Sequence, residues 1–222
     1  MKLVFFDNRF LRTRHEELLS ALIHAFGVGI ACAMTVALGV LGAHHGPLQM
    51  WSGLAYGIAH VLTYGASVAY HFAEHPPLKT RLRAVDQAAI YAAIAGTYTP
   101  ILLLGLPSAW GPALTVGVWL VCLRGAVLRI AHWRQEGSDW ASLASYLTFA
   151  AVGALLFIFM GSGPIHASRE WFGASSLFFG AGLVFYMWHY KPYFHTAWHV
   201  LTVLGHLIHF YAVWIYFIQP LT

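Results

Sequence analysis

The chain has 222 residues, of which 59% are hydrophobic and 9% charged, with a formal net charge of +4 and a mean hydropathy of +0.65. Soluble domains carry roughly 25% charged residues, so this composition excludes a globular fold facing water and specifies an integral membrane protein. The expected partner is a membrane lipid, as substrate or ligand; neither a nucleic acid nor a soluble protein is expected.

A spanning helix needs about 20 mostly apolar residues. Seven such runs follow in chain order: Leu18–Gly42, Met50–Phe72, Val85–Leu104, Gly111–Ile130, Trp140–Gly161, Trp171–Tyr190 and Phe194–Ile218. The connections are short and rich in Gly, Pro and charge, with no room for a soluble domain. The pattern predicts an all-α bundle of seven transmembrane helices forming one integral membrane domain over residues 1–222, with a short segment, 1–17, ahead of the helices between 18 and 218. Met1 to Glu17 lacks a basic start followed by a short apolar core and a small-residue cleavage site. No cleaved signal peptide is therefore expected, and the first helix serves as its own insertion signal.

Charge gives the bundle a direction. If the chain weaves through all seven runs, Lys2, Arg9, Arg12, Arg14, Lys79, Arg81, Arg83, Arg124, Arg129, Arg134 and Lys191 fall on one side, and only Arg169 on the other. The positive-inside rule then predicts a cytoplasmic N-terminus and an external C-terminus. Arg124 and Arg129, near a helix end, are expected to snorkel to the headgroups. Trp51, Trp110, Trp140, Trp171 and Trp188 fall near predicted helix ends, as interfacial aromatics do. Cys32 and Cys122 lie inside apolar runs with no CxxC pair and read as free buried thiols.

The topology brings scattered polar residues to one depth. His71 ends the second run, Asp86 begins the third, and His195 and His199 begin the seventh. Residues four apart share one helix face, so the His195/His199 pair can hold one metal ion from the same side, with His71 as a third ligand. Three neutral imidazoles with an open position make a catalytic type of zinc site, in which the pKa of a bound water falls to about 7. Asp86 reads either as a fourth ligand or as the base that accepts a hydrogen bond from that water. The alternative for Asp86 is an interfacial carboxylate paired with Arg81 or Arg83. Ser67, one turn before His71, can hydrogen-bond within the site or steer a bound water; its alternative is a back-bond to its own helix.

The chain has 14 histidines, so histidine alone is a weak signal. His60 and His206 fall on the faces of His71 and His199 but nearer mid-membrane, and with His189 and His209 they read as hydrogen-bonding groups between helices. His24, behind Glu17, is the one expected to border the site. His44, His45, His75, His132 and His166 read as loop or interface residues.

Several stretches carry a family resemblance: Glu16-Glu17 with His24, Ser67-Val-Ala-Tyr-His71, Val85-Asp86-Gln-Ala-Ala-Ile90, Ala95-Gly-Thr-Tyr-Thr-Pro100, and His195-Thr-Ala-Trp-His199 running into Gly205-His-Leu-Ile-His-Phe-Tyr211. In these the chain resembles the hemolysin III proteins, bacterial members of the PAQR superfamily that includes the adiponectin receptors. The resemblance implies an adiponectin-receptor-like bundle with a cytoplasmic N-terminus. It also implies a Zn2+ ion held by His71, His195 and His199, with Asp86 holding the zinc water. Alkaline ceramidases share the related motif, which implies hydrolysis of a lipid amide. The long N-terminal soluble region of the animal receptors has no counterpart here, so receptor signalling is not carried over. Around Pro100 the third helix is expected to pack and kink.

Four functions follow from these readings. The first is a ceramidase-like zinc hydrolase of a lipid amide or ester, in a bacterial inner membrane. The second is a non-enzymatic lipid sensor with structural zinc. The third is a transporter or channel with a histidine proton relay, and the fourth a haem protein with two axial histidines.

Overall fold

The computed structural model describes residues 12–107, 109–133 and 138–219; Lys2, Arg9, Arg134 and the Trp140 side chain lie outside the described residues. Each predicted run is a helix: α1 (Arg14–His45), α2 (Pro47–Phe72), α3 (Pro76–Gly105), α4 (Gly111–Ala131), α5 (Ser138–Phe159), α6 (Gly163–Met187) and α7 (Phe194–Val213), the last continued by a π-helical turn over Trp214–Ile218. Five of the seven are long and apolar enough to cross a membrane, α2 and α6 being the exceptions. Both are long enough, but α2 carries Ser52, His60, Thr63, Ser67 and His71, and α6 opens with Arg169 and Glu170.

The bundle is apolar on its outside. Phe26, Leu62, Leu120, Ile158 and Leu177, on five different helices, are all at least half exposed. Isolated exposed apolar residues are ordinary, but a belt of them marks a surface meant for lipid. Trp51, Trp110, Trp171 and Trp188 are also exposed, as interfacial anchors are. Both cysteines are free; Cys122 is buried as expected, but Cys32 is exposed, because it shares the outward face of α1 with Val36 and Val40.

Two helices start about eight residues or more ahead of their apolar runs. α3 begins at Pro76 rather than Val85, and α6 at Gly163 rather than Trp171. In each a proline sits in the first turn, where its fixed φ suits a helix and its missing N–H costs nothing. An apolar run reports the part that crosses hydrocarbon, not the polar turns outside it. Lys79, Arg81 and Arg83 therefore belong to the first turns of α3. Arg129 departs from expectation: it is 3% exposed and turns inward to donate to Gln87 of α3 instead of snorkelling. Pro100 lies buried inside α3, which runs on to Gly105.

α1, α2, α3 and α4 pack in succession, and α7 closes against α1 and α6; α5 packs only loosely. Hydrophobic burial does not drive helices together in lipid, so close approach does, through small residues. At Gly57 of α2 a Cβ would lie 2.2 Å from the Thr35 hydroxyl and 2.6 Å from its Cα. Gly57→Ala is therefore expected to push α1 off α2 and lower thermal stability by about 1–3 kcal/mol, the usual cost of overpacking. A melting temperature equal to that of the native sequence would refute this tight contact.

Candidate metal centre

The start of α1, the end of α2 and the starts of α3 and α7 meet at one end of the bundle. The start of α7 is fixed to α1 by Glu16. This residue closes a capping box with Thr13, and its other carboxylate oxygen accepts the Tyr193 N–H at 2.6 Å. Tyr193 holds the left-handed conformation (φ 60°) ahead of α7, one that non-glycine residues seldom adopt. The Ser20 and Thr196 hydroxyls, 3.2 Å apart, add a second tie between the two helices. Together these set His195 and His199 opposite His71.

The three rings converge on their Nε2 atoms. His71 and His199 are 3.0 Å apart, His195 and His199 2.9 Å, and His71 and His195 3.4 Å. All three side chains are buried. Each Nε2 either carries a proton or presents a lone pair, so among three mutual neighbours at least one pair must be alike and repel. Hydrogen bonding alone cannot satisfy the group, whereas a cation at its centre takes all three lone pairs. Ligands of a tetrahedral zinc ion with bonds of about 2.0–2.1 Å stand roughly 3.3 Å apart, close to these separations. The triad fits a metal ion, and among the described residues it is the group of ligand atoms drawn within 4.8 Å of one another.

Glu17 orients the first of these ligands. Its carboxylate accepts from His71 Nδ1 at 2.7 Å, which puts the ring proton on Nδ1 and turns the Nε2 lone pair toward the other histidines. The buried carboxylate is in turn bound by Arg12 Nε at 2.7 Å and Lys79 Nζ at 2.9 Å. Lys79 also donates to the Tyr70 and Ala73 carbonyls at the end of α2, and Arg12 to the Tyr70 hydroxyl. A charge taken out of water is retained only when paired in this way. The apolar-run reading misses Glu17 because it falls just ahead of the first predicted span. The available signal is an acid at the same end as His71, close in sequence to Arg12 and at the same depth as Lys79 of α3. Glu17→Gln is expected to weaken metal affinity about 10–100-fold, the usual effect of losing such a support. Competition against a zinc chelator measures it, and unchanged affinity would mean that His71 is oriented without Glu17.

Asp86 stands outside the ligand group and lines a cavity that also reaches His195, His199 and Ser67. Ser67 makes no back-bond to its helix; its hydroxyl lies beside the Asp86 carboxyl. Arg12 and Arg83 bear on that carboxyl electrostatically, while Arg81 lies over the Trp133 ring, 5.6 Å from its centroid. His24 borders the site as expected, its ring 4.0 Å from that of His199 in an edge-to-face contact. Among the described residues the Nδ1 atoms of His195 and His199 have no hydrogen-bond partner, so His71 is the one of the three backed by a carboxylate.

The cavity has a volume of about 990 Å³ and runs from this end past Phe157 and Phe179 to Arg169 and Glu170. Its walls are largely apolar, with polar groups at few points, as ligand pockets are built. Within the bundle His60 of α2 and His206 of α7 meet, with ring centroids 4.5 Å apart.

Residues 12–210 match the family model described as haemolysin-III related. A hemolysin-3 homolog of Bacillus subtilis is 32% identical over 213 residues, 93% of this chain and 97% of that protein. Hemolysin-3 of Bacillus cereus is 27% identical, over 90% of this chain and 91% of its own length. The human monocyte to macrophage differentiation factor is 23% identical over 95% of this chain and 88% of its own.

Proposed function

The chain belongs to the haemolysin-III-related family, and on that premise we propose that it is a zinc-dependent hydrolase of a lipid amide or ester, with its site near the cytoplasmic leaflet of a bacterial inner membrane. The observation that carries this reading is that His195 and His199 of the buried triad with His71 line a large apolar cavity that Asp86 and Ser67 share. A zinc ion bound there supplies Lewis acidity and an activated water.

The three histidines would hold the metal, with Glu17 orienting the His71 ring. The acyl chain lies along the apolar walls, which bring its carbonyl to the triad and keep bulk water away. Asp86 takes a proton from the attacking water and passes it to the leaving nitrogen or oxygen. The water oxygen bonds to the carbonyl carbon, the C–N or C–O bond breaks, and the products are a fatty acid and an amine or alcohol. Ser67 orients Asp86.

The test is turnover of ceramides, other N-acyl amides and glycerolipid esters by purified protein carrying one zinc per chain. Hydrolysis of at least one class, abolished by chelation, is expected; full zinc occupancy with no turnover across the panel contradicts the reading. The second reading, a lipid sensor with structural zinc, draws on the same triad, because a metal there would tie α2 to α7 while Glu17 ties α1 to α2.

A further inference from the structure

Deeper in the bundle the cavity meets a second polar cluster that hydrolysis at the triad does not use. His206 and His209 of α7 line the cavity, and Tyr56, His60 and Tyr64 of α2 stand against them. The Tyr64 hydroxyl is 2.8 Å from His206 Nδ1. His60 Nδ1 lies 2.8 Å from the Tyr56 carbonyl oxygen. A carbonyl only accepts, so His60 carries its proton on Nδ1 and its Nε2 is a bare acceptor. That atom, the Tyr56 hydroxyl and His209 Nε2 are buried with no hydrogen-bond partner among the described residues, and His60 and Tyr56 are 1% and 0% exposed. Buried polar groups are nearly always paired. Phe172 and Phe179 close the flanks, 4.4 Å from His209 and 5.0 Å from His206 between ring centroids. Of the three unpartnered groups, His209 lines the cavity, and its position asks for a small polar group carried on an apolar chain.

We propose that this cluster recognises a hydroxyl on the acyl chain, and that the preferred chain carries it roughly nine to twelve bonds from the scissile carbonyl, given about 1.2 Å advanced per bond of an extended chain. The inference rests on the hydrolase reading, which places that carbonyl at the triad. The spacing follows from α7, on which His206 and His209 come seven and ten residues after His199. At about 1.5 Å per residue they lie about 10 and 15 Å deeper than the metal end. A hydroxyl at that depth meets His209 Nε2 directly, whereas one near the carboxyl end falls short of it.

The probes are octadecanoic acid and its 2-, 10- and 12-hydroxy derivatives, bound to the purified, zinc-loaded full chain in detergent and compared by competition. The 10- or 12-hydroxy acid is expected to bind about fivefold tighter than octadecanoic acid, the return on one net hydrogen bond, and the 2-hydroxy acid no tighter. His209→Leu is expected to remove the preference, so that the 10- and 12-hydroxy acids bind no tighter than octadecanoic acid. Equal binding of all four acids by the native sequence overturns the inference and leaves the hydrolase reading standing. A preference that survives in His209→Leu also overturns it. If none of the acids binds and no lipid is turned over, the hydrolase reading falls first and the inference with it. The comparison of isomers on the native sequence stands even if the variant does not fold.

Discussion

Asp86→Asn is expected to keep its metal and lose turnover. The triad is complete without Asp86, because the three Nε2 atoms that converge belong to His71, His195 and His199, so an amide at position 86 takes no ligand away. What it removes is a proton acceptor on the wall of the shared cavity. General acid–base catalysis typically contributes about 10²–10⁴-fold, and turnover should fall within that range while zinc content stays at the native level. The substitution is nearly isosteric, and Asp86 is half-buried rather than packed in the core, so the melting temperature should move little. This outcome separates the two readings of the site. In a hydrolase, turnover falls while metal and stability hold. In a sensor with structural zinc no turnover exists to lose, and any effect of the variant appears in stability.

His199→Ala is expected to have the opposite signature: the metal is lost. His199 is the nearest of the three to both partners, at 2.9 and 3.0 Å, and it is 1% exposed. Its removal leaves two nitrogens of the triad, 3.4 Å apart. Loss of a supporting residue around a metal costs about 10–100-fold in affinity, and loss of a ligand itself costs more, so the variant should purify with almost no zinc. Linkage gives a second readout. A metal that binds only the folded state raises the melting temperature as its concentration rises; added zinc should stabilise the native sequence and leave His199→Ala where it was.

The helices were legible because lipid imposes one requirement that composition records directly: each crossing needs a long apolar run. The ends of α3 and α6 were not, because their polar turns lie beyond the hydrocarbon and obey proline and helix propensity instead. Of the site, the HxxxH pair and His71 could be read from spacing and from the alternation of the chain, which fixes the depth of every helix end. Glu17 could not be read the same way. Its role depends on a carboxylate of α1 reaching an imidazole of α2, and periodicity within one helix says nothing about contacts between helices. Arg129 went unread for the same reason, since the expectation of snorkelling weighs a cation against lipid and takes no account of Gln87 on α3. Spacing puts His60 and His206 on the faces of the triad residues and nearer mid-membrane, but only the packed bundle shows that they meet.

The most direct measurement is metal content, by mass spectrometry, of the native protein purified without chelator. The account predicts one zinc ion per chain. Protein that is folded, by its helical content and cooperative melting, yet holds no zinc and takes up none when it is supplied would contradict a metal centre at His71, His195 and His199, and the hydrolase built on it.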